Sequence, residues 1–432
     1  MGGEFDSVAL GDVATIRSGF AFKSRDWTES GVPVVKIANV KEGSLAMEGC
    51  SFVAQPIADQ AAEFALQAGD ILMAMTGYIG DVALVRDHNL PAVLNQRVGR
   101  FSIHDQSRLD QRFLFYLLRE GEVRREIEGL GYGSAQPNVS PTLIQGLEVP
   151  LPPLTEQRAI AHILGTLDDK IELNRRMSEA LEAMARALFK AWFVDFDPVR
   201  AKMANRDPGL PQALADLFPA RLVDSELGEI PEGWEVGTLG DVAALNPEVW
   251  TKQTRPPEIN YVDLSNTKWG RIEAVTAYEA SDAPSRARRV LRPGDTIIGT
   301  VRPGNGSYAL ISDEGLTGST GFAVLRPDKP QSAEFVYLAS TARENIDALA
   351  HLADGGAYPS VRPEVVAATP VVLPGNKVLE PFALASGPLL AKMAQNERES
   401  RTLAQLRDTL LPKLISGELR LAKAEKILES AP

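Results

Sequence analysis

The residues of this chain with the widest chemical reach are few and scattered. His88, His104, His162 and His351 lie too far apart for metal-ligand spacing. The single cysteine, Cys50, allows no internal disulfide and no cysteine-based zinc site, and reads as a small semi-buried residue. No G-x-x-x-x-G-K-[ST] loop is present to cradle nucleotide phosphates, and Gly304 to Gly306 reads as a β-turn. What remains is a set of cations and forked donors on predicted loops, the groups that contact phosphates and base edges in nucleic acid.

The densest such cluster is Arg286, Arg288, Arg289, Arg292 and Arg302, with only Asp282 and Asp295 over the same span. It suits a phosphate or groove contact, or equally a solvated face that balances the acidic remainder. Arg302 to Tyr308 (RPGNGSY) takes the place of Thr76 to Asp81 (TGYIGD) between two predicted strands, so that Arg302, Asn305, Thr76 and Tyr78 are candidate contacts. Arg17, Ser18, Lys23 and Arg25 form a second basic, glycine-containing loop, matched by Asn246 to Arg255. Lys268 and Arg271 flank Trp269 in a turn. For each of these the alternative is an ordinary surface polar residue. Gln136 and Tyr358, which precede Pro137 and Pro359, are read instead as shaping a return loop.

Those loops need a scaffold, and the chain writes it twice. LGDVATI at Leu10 to Ile16 returns as LGDVAAL at Leu239 to Leu245, and GDILMAMTG at Gly69 to Gly77 is answered by GDTIIGTVRPG at Gly294 to Gly304. FLFYLL (Phe113 to Leu118) matches FVYLAS (Phe335 to Ser340), and GSAQPNVSP (Gly133 to Pro141) matches GGAYPSVRP (Gly355 to Pro363). VPLP (Val149 to Pro152) matches VVLP (Val371 to Pro374). Short β-rich runs between Gly/Pro turns, with one helix near residues 111–129 and again near 333–350, predict an α+β domain on a twisted, mostly antiparallel sheet.

Each copy closes on a long helix. Residues 154–197 contain no Gly or Pro from Thr166 onward, and Ile160, Leu164, Leu167, Ile171, Asn174, Ser178, Leu181, Ala185, Leu188 and Trp192 follow a heptad seam. A shift of 222 residues finds Phe382, Ser386, Leu389, Met393, Asn396, Ser400, Leu403, Arg407, Leu410 and Leu414. A buried amide in a seam fixes register, so Asn174 is expected to face Asn396 in an antiparallel pair; the alternative is a two-helix core with incidental polar positions. The second helix is less regular. Ser386 suits an N-cap and Pro388 a first turn, while Pro412 should end or kink the helix, leaving Pro388 to Leu411 as its long part. Struts of about 24 to about 36 residues would reach about 36 to about 54 Å, or roughly 10 to 16 base pairs of duplex.

Length bounds the rest. A chain of 432 residues suggests two to four domains. A net charge of −12 argues against bulk coating of nucleic acid, though not against a local basic groove or binding beside more basic partners. The opening MGGEFDSVAL has no basic run leading into an apolar one, and no apolar stretch approaches about 18 residues, so a cytoplasmic, non-membrane protein is expected.

This order of segments resembles the specificity subunits of Type I restriction-modification systems. The resemblance is carried by the paired LGDVA segments, SGFAF (Ser18 to Phe22), GDILMA, GSAQPN, VPLPPLTEQRAI (Val149 to Ile160), FDPVRAK, SELGEIPEGW (Ser225 to Trp234) and LRDTLLPKLISGEL (Leu406 to Leu419). It implies two tandem pseudo-repeated α/β target recognition domains separated by an antiparallel pair of long coiled-coil helices. The expected boundaries are recognition domains at 1–153 and 234–375, spacer helices at 154–197 and 376–420, a linker at 198–233 and a tail at 421–432. It further implies a bipartite asymmetric site in double-stranded DNA, two modification subunits that carry S-adenosylmethionine and methylate adenine, and restriction subunits that join them. The specificity subunit itself would hold no cofactor and do no chemistry. The residues agree on the last point: the string nearest to an adenine methyltransferase motif, Arg255-Pro256-Pro257-Glu258, lacks the flanking residues that grip an extruded base. The contrasting reading is a non-enzymatic, bivalent protein-binding scaffold.

Overall fold

Period-two runs of Val, Ile and Leu between glycine turns produce the same elements twice. The protein, as a computed structural model, is described over residues 5–131, 138–251, 253–356, 358–421 and 423–424. It divides into one unit of Met1–Glu172 with Glu399–Pro432 and another of Leu173–Arg398.

In the first unit, β1 (Ala14–Ser18), β2 (Val32–Val35), β3 (Val40–Lys41), β4 (Ser44–Leu45), β5 (Ile71–Ala74), β6 (Val82–Leu84) and β7 (Val98–Ile103) precede α1 (Gln111–Arg119), α2 (Gly121–Gly129) and α3 (Leu154–Phe193). One four-stranded sheet has the order β1-β7-β5-β6, antiparallel throughout. A second four-stranded sheet places β2 between Ser51–Val53 and Val93–Leu94, the latter parallel to it. The expected single helix over 111–129 is two helices. Glu120 breaks it by accepting from the N–H groups of Glu122 and Val123, which caps α2.

In the second unit, β8 (Ala243–Leu245), β9 (Glu258–Val262), β10 (Thr267–Lys268), β11 (Arg271–Ile272), β12 (Ala287–Val290), β13 (Thr296–Gly299), β14 (Tyr308–Leu310), β15 (Leu316–Ser319) and β16 (Phe322–Pro327) precede α4 (Ala333–Ser340), α5 (Arg343–Leu352) and α6 (Asn376–Ile415). The antiparallel sheet has the order β8-β16-β13-β14, and β12, β15 and β9 form the mixed one with Thr276–Glu279. Among the described residues each unit thus holds two four-stranded sheets, with smaller two-stranded ones beside them, where the sequence suggested one sheet. The VPLP and VVLP segments return to the start of their sequence repeat, Val149 opposite Val8 and Val372 opposite Val236.

Both long helices run 40 residues. The expectation that α6 would be broken to Pro388–Leu411 fails: it is continuous from Asn376 to Ile415, and the Ser386 hydroxyl donates to the Phe382 carbonyl inside the helix rather than capping its start. A proline in a helix leaves the carbonyl four residues earlier without its usual donor. Here Pro388 and Leu384, and likewise Pro412 and Asp408, are exposed, which sets both prolines on the solvent side of the helix, where a freed carbonyl costs least. The linker itself carries short helices at Asp197–Met203 and Gln212–Ala215.

The seam residues are core. In the first unit Ile160, Leu164 and Leu167 share a cluster with Leu403, Leu410 and Leu414 and with Phe113 to Leu118 of α1. In the second, Ala185 and Trp192 cluster with Phe382 and the α4 aromatics. Burying each such side chain contributes about 1.5–3 kcal/mol. Asp168 faces Arg407 at 2.7 Å and Lys170 faces Glu399 at 3.3 Å. In the second unit the Phe193 and Phe382 rings are 4.8 Å apart, and Asn174 meets Asn396. The helices therefore pair antiparallel within each unit, and the fold class is α+β. Among the described residues no helix is long and apolar enough to cross a membrane.

Candidate nucleic-acid interface

In each unit the turn between the two adjacent strands of the antiparallel sheet meets the Gly-Pro loop. In the first, Thr76 bridges to Asn138 and its hydroxyl donates to Asn138 Oδ1 at 2.8 Å. Gly77 and Gly80 take φ of 77° and 87°, a conformation that turns the chain sharply between them. Tyr78 stands out between them, 61% exposed. At the loop's end Asp81 pairs with Arg124 at 2.7 Å. Burial raises the Asp81 pKa and Arg124 opposes that rise.

The equivalent loop of the second unit is anchored by its backbone. Arg302 N–H donates to the Pro359 carbonyl at 2.7 Å, and Val301 bridges to Ser360. Arg302 adopts a left-handed φ of 47°, unusual for a residue with a β-carbon and common where a loop is shaped for contact. Both Arg302 and Asn305 are exposed. The Arg302 guanidinium lies 4.8 Å from the centre of the Tyr358 ring, which is 70% exposed. The reading of Tyr358 as a loop-shaping residue fits its backbone neighbours but not its ring, which packs into no core. Gln136 lies outside the described residues.

The arginine cluster is divided by acids that a linear span does not show. Arg286 pairs with Asp263 at 2.9 Å and donates to Tyr261 Oη, and Arg292 pairs with Glu248 at 2.9 Å. Glu248 follows β8 and Asp263 follows β9, both outside the residues between Arg286 and Arg302. Arg288 is exposed and Arg289 half-buried, and neither makes an ion pair among the described residues. Burial lowers the Arg289 pKa, the adjacent Arg288 lowers it further, and Glu364 opposes both. Its Nε has no partner among the described residues. Arg289 is thus a partly desolvated cation on the edge strand β12 whose donor an anion would satisfy.

In the first unit Ser18 pairs with Gly99 at the end of β1, and Arg17 lies exposed with Glu63 at 3.8 Å. Lys23 N–H donates to Asp26 Oδ2 at 2.7 Å, which leaves the Lys23 side chain and that of Arg25 in solvent. In the second unit the β10–β11 hairpin splits its two cations. Lys268 is exposed, whereas Arg271 turns to Glu179 of α3 at 3.5 Å. Trp269 has a φ of 46° and stacks under Arg343 at 5.1 Å. The β3–β4 hairpin has the same build, with Gly43 and Gly270 both at φ 84°; the equivalence of VKEGSL with TKWGRI, legible in the shared K-x-G, was missed by the sequence reading.

Between the long helices of the second unit, Asn174 Nδ2 lies 3.5 Å from the Asn396 carbonyl, and Asn396 Nδ2 donates to Ser178 Oγ at 3.3 Å. Among the described residues no group of three or more His, Cys, Asp or Glu is placed to hold a metal ion. No buried nucleophile with an adjacent base appears in the loops described above. The arrangement offers surfaces, cations and rings, which is the equipment of recognition.

Residues 3–183 match the family described as the Type I restriction modification DNA specificity domain. The chain is 35% identical over 183 residues to the Type I restriction enzyme MjaVIII specificity subunit of Methanocaldococcus jannaschii, a match over 41% of this chain and 43% of that one. It is 26% identical over 356 residues to the HindI specificity subunit of Haemophilus influenzae, covering 71% and 77%. The chain thus spans less than half of the first relative and about three quarters of the second. Its fold is that of the Type I restriction-modification S subunit from M. genitalium, with a TM-score of 0.57 at 17% identity over 95% of this chain and 96% of that one. The first part of the chain, residues 3–183, is thus similar to the Type I restriction modification DNA specificity domain, and relatives named as Type I specificity subunits match up to 82% of this chain.

Proposed function

We propose that this chain reads a bipartite, asymmetric target in double-stranded DNA, one half-site per unit, and docks two adenine-N6 modification subunits on α3 and α6, with restriction subunits completing the assembly. S-adenosylmethionine then sits on the modification subunits, and this chain holds no cofactor. In this reading 1–153 and 234–375 are the recognition domains, 154–197 and 376–420 the helical regions, 198–233 the linker and 421–432 the tail, and the assembly works in the cytoplasm. The observation that supports it most is that two units of one plan carry unlike side chains at the same loop, Thr76-Gly77-Tyr78 in one and Val301-Arg302-Pro303 in the other. Like scaffolds with unlike readers suit unlike half-sites.

Arg288 and Arg289 contact phosphate, with Arg17, Lys23, Arg25 and Lys268 as further backbone contacts, while Thr76, Tyr78, Arg302, Asn305 and Ser18 face bases. Arg286, Arg292 and Arg271 reach the duplex only by leaving their carboxylates, and so contribute less. Asn174 and Asn396 set the register of the helix pair. Sequencing of methylated adenines in the host, with and without this chain, tests the reading. A two-part motif modified only when the chain is present is expected, and an unchanged methylome overturns it. In the same assay alanine at a base-facing residue relaxes one half of the motif, whereas alanine at Arg289 lowers methylation evenly across sites.

A further inference from the structure

We propose that Tyr78 and Tyr358 are base-stacking side chains, one per unit, each taking the face of a nucleobase that has left the helical stack. The inference rests on the DNA reading above and assigns it a contact that neither hydrogen-bond donors nor phosphate-binding cations supply. Among the described residues, Tyr78 at 61% and Tyr358 at 70% are the only aromatic side chains in the set of large, exposed hydrophobic residues. A tyrosine face left in water forgoes the burial that usually accounts for the residue. Both rings are nevertheless held, each by a cation: Lys41 Nζ lies 5.4 Å from the Tyr78 centroid, and the Arg302 guanidinium 4.8 Å from that of Tyr358.

Their placement argues against coincidence. Tyr78 comes from the strand-connecting loop of its unit and Tyr358 from the Gly-Pro loop of its own, so they are not equivalent in the repeat. Yet these two loops bridge each other in both units, Thr76 to Asn138 in the first and Val301 to Ser360 in the second. One aromatic ring therefore projects from the same junction in each unit, supplied by opposite partners. The junction is supported alike in both: Val139 N–H donates to the Met75 carbonyl at 2.9 Å, and Val361 N–H to the Thr300 carbonyl at 2.9 Å.

The chemistry of the occupant follows from the pair. A flat ring with a cation beside it fits a ligand that is planar and aromatic and carries a negative charge next to the plane, which describes a nucleotide. In an intact duplex every base face is covered by its neighbours, so the ring can meet one only at a step that has opened or around a base that has been extruded. An aromatic or proline side chain of a protein partner would match the face but not the charge.

The test uses the full chain and a duplex selected by it from a random-sequence pool, then remade with 2-aminopurine replacing one adenine at a time. Binding of the wild-type chain should raise 2-aminopurine fluorescence at a position in each half-site. Y78A and Y358A should each weaken binding roughly 5- to 150-fold, the range for loss of one stacked base, and should abolish the fluorescence rise in one half-site only. Y78F and Y358F should behave as wild type, since the stacking face survives. Alanine variants that bind and fluoresce as wild type overturn the proposal, as do phenylalanine variants as weak as alanine, or alanine variants that keep DNA but lose a copurifying protein. If the wild-type chain selects no duplex at all, the DNA reading fails and takes this inference with it. Wild-type binding with indifferent alanine variants removes the stacking role alone. Unchanged thermal unfolding of the variants, expected for exposed rings, separates a lost contact from a lost fold.

Discussion

In the first unit the long helix α3 presents an anion to the aromatic helix behind it, while in the second the same helix presents a cation. Asp168 accepts from Tyr116 Oη at 2.9 Å, Arg119 at 3.2 Å and Arg407 at 2.7 Å. Arg186 instead donates to the Thr341 carbonyl at 3.2 Å and to Tyr308 Oη at 3.3 Å, lies 5.9 Å from the Tyr337 ring, and pairs with Glu182 at 2.7 Å on its own helix. Both α1 and α4 put a tyrosine at this seam, and burial drives the Tyr116 and Tyr337 pKa values upward. What the two copies share is therefore a shape, an aromatic helix laid on a long one. The sign of the charge that completes it is free to differ, provided the partners differ with it.

The difference has consequences of unequal size. Asp168→Ala leaves the Arg119 side chain, only 4% exposed, and Arg407 without their common anion. It should cost about 3–5 kcal/mol, read as lost hydrogen-exchange protection in α1 but not in α4. Arg186→Met should cost about 1–2 kcal/mol, since Glu182 keeps access to water. Equal costs would break the comparison.

The second effect concerns how the helices are matched. The first unit uses Asp168–Arg407 and Lys170–Glu399 ion pairs, and the second the amides of Asn174 and Asn396. Asn396 Oδ1 is buried without a partner among the described residues. Replacing both Asn with Leu should therefore raise stability by about 1–2 kcal/mol while loosening register, seen as mixed cross-links between cysteines placed along α3 and α6 and as a changed mass in light scattering. A single cross-linking pattern and unaltered mass would deny the amides that role.

The smallest effect is a pH dependence of opposite sign in the two units. Burial works against ionisation of Asp168, but Arg119 and Arg407 outweigh it and hold its pKa below the ordinary 3.8. The unfolded chain protonates first, so this contribution is complete above the ordinary value and is lost as pH falls through the lower, folded one. Glu334, in the second unit, has burial raising its pKa above 4.5, with only its own backbone N–H opposing. There the folded state prefers the neutral acid, and stability falls as pH rises past the ordinary value. Glu334→Gln should accordingly stabilise by about 1 kcal/mol at neutral pH and by less in acid, whereas the cost of Asp168→Asn should shrink as pH falls. Parallel pH profiles for the two variants would contradict the assignment.

Much of this was visible in the sequence because it depends on periodicity. The heptad seam marked the buried faces of α3 and α6, and the paired LGDVA segments marked the repeat, whose two copies each open on a one-turn helix entering β1 or β8. The continuity of α6 was not visible, because whether a proline breaks a helix depends on which carbonyl it frees and whether water reaches it. The pairing within the arginine cluster was hidden for a related reason. Glu248 and Asp263 approach Arg292 and Arg286 only after strands distant in sequence are aligned, and a linear charge count cannot include them. Cations that keep no carboxylate, such as Arg289, and rings that keep no core, such as Tyr358, emerge only by subtraction once the pairing is known.

The wall that closes the first core is drawn from far along the chain: Leu403, Leu410, Leu411, Leu414 and Ile415 belong with Leu10, Phe113 and Ile160. The second core is drawn from one uninterrupted stretch. A ribosome that has passed residue 398 has therefore delivered everything the later unit needs, while the earlier one still waits, its aromatic helix open on one side. The half that is made first is finished last, and until α6 folds back its hydrophobic seam is what a nascent-chain chaperone would meet.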